Sequence, residues 1–349
     1  MRPEFEALGV TYVLGKTPTA IEKIFRMLLR RPGRKYLPER IDLQTLINTR
    51  EFDLLYFNTI THGDLLAVTS TGTVPVLTHV HELAHSIRTF ARGQEALVLA
   101  RSMAVLAVSN AVSLHLAKVL HCPTEKLHRI YGFVPTKNKP SANPPTLHAE
   151  LFGPLGFARN DIVIGLCGTA DFRKGVDLLV PLALQLPTFI GGRAIRFVWI
   201  GSHSREYPPE MATADITQAG LTGRVHFIGP TTRPVDWISR FDLHLLLARE
   251  DPFPLVVLEA AALGIPTVCF DGAGGAVEFV RGDAGAIAPY LDLAAMAACV
   301  LQLLDNEAKL KAAGATAKAR VCAEHDVSVA VPRIFELMKT VVETRRTTG

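Results

Sequence analysis

Three groups of residues in this 349-residue chain have types and spacings that could do chemistry. The first is HELAH, in which His81, Glu82 and His85 stand at the spacing of a zinc peptidase. Two imidazoles four apart on a helix face one metal, and the glutamate between them is placed as general base. The extended pattern then fails, because Arg88 stands where a glycine belongs and Ala91 where the last histidine belongs. Upstream, VPVLT follows Gly72 and reads as a strand ending near Thr78, which puts His81 in a loop at its carboxyl end. No metal is expected, and His79 and His85 read as structural or solvent-facing.

The second group lies in residues 243–280, where an apolar strand runs into Glu250 and Asp251 and a helix starts behind Pro252, Phe253 and Pro254. Gly264 closes that helix, and a second glycine turn (Gly272, Gly274, Gly275) opens another. Two helix N-termini at the carboxyl edge of a parallel sheet suit a diphosphate. Glu259, one turn into its helix, is placed for the paired hydroxyls of a ribose, and Asp251 for those of a second sugar. A nucleotide-sugar is the ligand this combination implies. The third group is GTADFRKGVDLL, a glycine turn carrying Arg173 and Lys174.

The elements that must position these residues are legible from Asp161 onward. Short β-branched runs (DIVIGLC, IRFVWI, VHFIG, LHLLLA, IPTVCF) alternate with helix-length segments, the signature of a doubly wound parallel sheet. The first half repeats the theme less regularly, with strands at VTYVLG, FDLLYFN, VPVLTH and AVLAVS. Pro135, Pro140, Pro144, Pro145 and Pro154 interrupt the chain between the halves. The expected division is a Rossmann-like domain over 1–135, a linker over 136–160, a second Rossmann-like domain over 161–340 and a tail over 341–349. The ligand would sit in the cleft between the two domains.

Asp251 to Glu259 (D-P-F-P-L-V-V-L-E), with the A-A-A-L-G-I-P-T-V and G-G-A-V-E-F-V that follow, resembles the E-x7-E signature of retaining GT-B glycosyltransferases, specifically glycosyltransferase family 4. The resemblance implies two Rossmann-like domains facing across a cleft, a hexosyl transfer from a nucleoside diphosphate-sugar without metal or cofactor, and a sugar or lipid-linked acceptor. The first acid is Asp251, since Glu250 stands one residue too early. Lys174 carries over as a diphosphate clamp. Thr169 occupies the family's usual arginine position, so Arg173 takes that role by neighbourhood alone. His81 matches the strand-end histidine that contacts the donor sugar. Phe253, Pro254, Leu255, Gly274 and Gly275 complete the expected donor-binding set. The chain opens at what resembles the family's second strand, so its first β-α unit is expected to be lacking. An inactive nucleotide-sugar binder and a zinc peptidase are the competing readings.

Composition narrows the setting. The hydrophobic fraction of 48% is ample for two cores, and the five scattered cysteines argue against a disulfide framework. A net charge of +4 does not indicate nucleic acid. No secretion signal or spanning run is read, so a cytoplasmic protein is expected. The stretch AIEKIFRMLLRRPGRK sets apolar Ile21, Ile24, Phe25, Leu28 and Leu29 beside Lys23, Arg26 and Arg30. Such a helix usually packs on a core, and here it is also suited to docking on an anionic membrane face.

Overall fold

The structure, a computed structural model, describes Gln44, Ile47 and residues 52–348. The expected strand at 10–15, the basic stretch at 20–40 and the expected absence of a first β-α unit lie outside these residues.

The first sheet holds β1 (Leu55–Phe57), β2 (Val76–Val80), β3 (Ala104–Ala107) and β4 (Leu127–Arg129), parallel and in that spatial order. Its crossovers carry α1 (Gly63–Ala67), α2 (Ala84–Phe90), α3 (Glu95–Arg101) and α4 (Asn110–Lys118). Every residue of β2 and β3 is buried; β3 is wholly apolar, while β2 also buries Thr78 and His79. Strand β2 extends two residues beyond the expected end at Thr78, and His81 is the first residue past it.

The second sheet contains β5 (Ile162–Cys167), β6 (Phe189–Ile190), β7 (Arg193–Ile200), β8 (Val225–Gly229), β9 (Leu243–Leu246), β10 (Thr267–Phe270) and β11 (Gly285–Ala288). The parallel strands run β8-β7-β5-β9-β10-β11, while the two-residue β6 pairs antiparallel with β7. Strand order therefore reverses between β5 and β9, the switch point where a doubly wound sheet leaves a crevice at its carboxyl edge. Around it lie α6 (Leu179–Gln185), α7 (Pro209–Gln218), α8 (Pro234–Ile238), α9 (Leu255–Ala262), α10 (Ala276–Val280), α11 (Leu293–Leu304) and α12 (Glu307–Glu324).

Two parts of the chain depart from the linear division. The proline-rich segment is folded: Asn143 caps the short α5 (Pro144–Leu147), and fully buried Phe152 meets Trp237 edge-on at 5.0 Å between ring centres. It forms one wall of the second domain rather than a free tether. The last helix, α13 (Val327–Thr348), crosses back to the first sheet, where Ala330, Ile334, Leu337 and Val341 cover Leu77, Leu106 and Ile130. A boundary at 340 falls inside this helix, so 341–348 continue it rather than forming a tail.

Candidate active site

Lys174 reaches the switch-point crevice because its turn is fastened on several sides. Asp171 Oδ1 accepts from the Lys174 N–H at 2.7 Å, and the Arg249 N–H donates to the Arg173 carbonyl at 2.8 Å. Arg249 also grips Asp177 with two 2.8 Å bonds and lies over the Phe172 ring at 3.8 Å. Gly175 follows at φ +74, where a Cβ would stand 2.1 Å from the Leu247 carbonyl oxygen, so only glycine lets the turn approach β9 this closely.

From the other side, β9 delivers Asp251, and Lys174 Nζ meets Asp251 Oδ2 at 2.5 Å with both side chains largely buried. No side chain caps the start of α9, behind Pro254. Leu255, Val256 and Glu259 on that helix line the same cleft of about 470 Å³, with Gly168 and Thr169 after β5, Gly201 and Ser202 after β7, and Pro230 and Thr231 after β8. Glu259 has no hydrogen bond or ion pair among the described residues, and burial raises its pKa above the usual carboxylate value. It is a half-buried acceptor without a donor. A cleft with an ammonium, an uncapped helix start and a free carboxylate matches a ligand that carries both anionic and hydroxyl groups.

A second cleft of about 460 Å³ adjoins the first and shares Asp251, Phe253 and Leu255 with it. Its far wall is the carboxyl edge of the first sheet: Tyr56, Asn58, His79 and His81, with Phe133 and Ile334 as apolar lining. Thus His81 and Asp251 come from different domains and face one space.

The zinc peptidase reading fails on geometry. His81 and Glu82 precede α2, and Leu83 is extended (φ −118, ψ −172), so His81 and His85 do not share a helical face. The Glu82 carboxylate accepts from Thr59 Oγ1 at 2.5 Å and from the His81 N–H at 3.0 Å, which fixes a turn rather than a water.

The known proteins that this chain resembles agree with the two-sheet cleft. A family model described as Glycosyltransferase Family 4 matches residues 9–138, and one described as Glycosyl transferases group 1 matches 161–306. The chain belongs to the GT-B glycosyltransferases of family 4. A lipopolysaccharide core biosynthesis mannosyltransferase of Rhizobium meliloti is 31% identical over 187 residues, 51% of each chain. A D-inositol 3-phosphate glycosyltransferase of Catenulispora acidiphila is 28% identical over 261 residues, 70% of this chain and 60% of that one. This family 4 member thus spans about half the length of the curated relatives it matches. Among solved structures, Anabaena HepE in complex with UDP-glucose superposes with a TM-score of 0.74 at 22% identity, covering 84% of this chain and 81% of that one. Sucrose-phosphate synthase from Thermosynechococcus elongatus gives 0.70 at 18%, covering 84% and 74%.

Within this family 4 fold, the structure gathers Lys174, Asp251, Phe253, Pro254, Leu255 and Glu259 around one cleft and brings His81 to its neighbour. Four expected donor-binding residues are placed elsewhere. Glu250 turns to the first domain, where its two oxygens accept from the His85 N–H at 3.1 and 3.0 Å and cover the start of α2. Arg173 Nη1 donates to the Glu250 carbonyl at 2.9 Å and stands 3.9 Å from Asp251, behind the Lys174 bridge. The Gly275 N–H is bonded to the Asp251 carbonyl at 3.0 Å, so it is not free for phosphate. At Gly274, with φ +127, a Cβ would stand 2.0 Å from that same carbonyl oxygen. Both glycines let the loop after β10 lie against the loop that carries Asp251. Tyr56, Asn58 and His79 were not singled out from sequence as site residues; their signal is the period of two in Tyr56-x-Asn58 and His79-x-His81 at two strand ends.

Proposed function

We propose that the chain transfers a sugar from a nucleoside diphosphate-sugar to an acceptor hydroxyl, with retention at the transferred carbon and without metal at the diphosphate. The observation that carries this reading is the pair of unlike groups in one crevice, the Lys174 ammonium and the Glu259 carboxylate, which has no partner among the described residues. Glu259 takes the ribose hydroxyls, while Lys174 and the uncapped start of α9 take the diphosphate. Asp251 gives up its bridge to Lys174 when the diphosphate arrives and then accepts from donor-sugar hydroxyls, with His81 contacting the same sugar from the other domain. As the bond from the sugar carbon to the diphosphate oxygen breaks, the acceptor oxygen bonds to the same face, and its proton passes to the departing oxygen. HepE was solved with UDP-glucose, and the matched relatives include mannosyltransferases of lipopolysaccharide synthesis. A hexosyl donor and a cell-surface glycan or glycolipid acceptor, met at the cytoplasmic membrane face, follow as the proposed setting.

The test is a thermal-shift panel of nucleoside diphosphates and their sugars, followed by turnover assays on each stabilising member. A ligand present at about 100 times its Kd stabilises by about 2.7 kcal/mol, enough to shift the transition visibly. Stabilisation by one base, with Glu259→Gln and Lys174→Ala each weakening it, is the expected result. A flat panel overturns the proposal, and stabilisation without transfer to any acceptor leaves a nucleotide-sugar binder.

A further inference from the structure

The two histidines at the end of β2 are built into a fixed polar chain. Tyr56 lies on β1, one strand over, and its hydroxyl is 2.5 Å from His79 Nδ1. Burial pushes the Tyr56 phenol up to about 12 and pulls His79 down to about 3, so a neutral phenol and a neutral ring share this bond. His79 Nε2, on the other side of the ring, is buried with no partner among the described residues. The His79 ring packs on His81 with centres 4.0 Å apart and planes tilted 44°. On the outer side, His81 Nε2 lies 2.9 Å from Asn58 Oδ1. An amide oxygen only accepts, so His81 Nε2 carries a proton and Nδ1 is left with its lone pair.

We propose that Asn58, with Tyr56 and His79 behind it, is a positioning residue that holds His81 as the neutral Nε2–H tautomer and offers Nδ1 as an acceptor to a sugar hydroxyl. This rests on the reading that His81 contacts a sugar, and it adds the direction of that contact: the ligand donates and the imidazole accepts. The groups that face His81 are Tyr56 and His79 from the strands, Glu82 beside it in the chain, and Asp251 across the cleft, the last neutralised by Lys174. The surrounding protein pulls His81 down to about 4. Its ring is exposed on the cleft side, where a ligand can reach it.

The experiment replaces Asn58 by aspartate, an isosteric change at an exposed side chain, so folding is retained. A carboxylate within bonding distance of an imidazole raises its pKa by roughly 1 to 3 units. In the wild type, long-range proton–nitrogen spectra of the histidines should show His81 as the Nε2–H tautomer, unprotonated from pH 8 to 5.5. In Asn58→Asp the same resonance should titrate with a midpoint between roughly pH 5 and 7, and kcat should fall further between pH 7.5 and 5 than it does in the wild type. Tyr56→Phe should leave the His81 pKa in place but raise KM for the donor, since the His79 support loses its partner. An Nδ1–H tautomer at His81 in the wild type, or an Asn58→Asp protein whose His81 titration is unchanged, overturns the proposal. The spectra need no substrate, so they stand apart from a failure of the nucleotide panel.

Discussion

At the residue scale, the proposed donor site is closed by an ion pair that an anionic ligand would have to open. Lys174 and Asp251 neutralise each other in a largely buried pair, and an ion pair of this kind is costly to break by removing one partner. Asp251→Asn should leave Lys174 free for phosphate, so nucleoside diphosphate binding holds or tightens while turnover drops by about 100-fold or more, from lost sugar contacts. Calorimetric titration beside a transfer assay would separate the two effects, and equal loss in both would contradict the pairing. Glu259 gives the converse case. Its folded pKa is raised by burial, so its ionised form weighs against the fold, and this cost is absent below the unfolded value and complete once pH passes the folded one. Glu259→Gln should therefore raise Tm at pH 7.5 by about 1–3 °C and not at pH 4, while weakening nucleotide binding. Asp251 and Glu259 were legible in sequence because both lie on one short segment whose strand-to-helix geometry is local. Tyr56 and Asn58 were not, because they meet His79 and His81 only through the β1 and β2 register, which sequence period alone does not supply.

At the element scale, two helices of the first domain begin under carboxylates of the second. Glu250 covers the His85 N–H at the start of α2, and Glu278 accepts from the Asn110 and Ala111 N–H groups at the start of α4, both at 2.9 Å. Each contact satisfies helix donors and places negative charge at a positive helix end. Glu278→Ala should cost about 1–2 kcal/mol in a denaturant midpoint, in line with the loss of an N-terminal cap. The proof that the contact joins two domains is a larger radius of gyration in solution scattering for the variant than for the wild type. An unchanged radius with the same loss would mean that the two domains stay together without Glu278. The sequence reading of α9 and α10 as paired helix starts holds for their order, and only α9 opens on the cleft. What separates them is the backbone bond from the Gly275 N–H to Asp251, a contact between loops 24 positions apart. Such zippering depends on the β9 and β10 pairing, which an isolated glycine turn does not announce.

At the scale of the whole molecule, the two domains share one apolar interior. Leu83, Val108 and Val112 of the first domain fall in the same buried cluster as Phe253, Val257 and Phe279 of the second. The chain crosses this boundary twice, and the crossings run side by side: the Val134 N–H donates to the His325 carbonyl at 3.0 Å, and the Val327 N–H to the Val134 carbonyl at 3.2 Å. An alternating β-α pattern told how each sheet is built, but an amphipathic C-terminal helix says only that it has a stripe to bury, not which sheet receives it. The residue that fixes the return is Asp326, whose carboxylate accepts from the Thr136 N–H and hydroxyl on the outgoing segment and from the Ser328 N–H and hydroxyl at the start of α13. These donors hold its pKa well below the usual carboxylate range. A depressed folded pKa contributes stability that is complete above the unfolded value, about 3.9, and is lost as pH falls below it. The crossing should therefore loosen between roughly pH 4 and 2, ahead of either sheet. Hydrogen exchange at the Thr136 and Ser328 amides should rise in that window in the wild type, and Asp326→Ala should show the same fast exchange at pH 7 with the β5 and β9 amides still protected. If the Asp326→Ala amides stay as slow as in the wild type, the return of α13 is held by the burial of Ile334 and Leu337 alone, and the carboxylate is incidental to it.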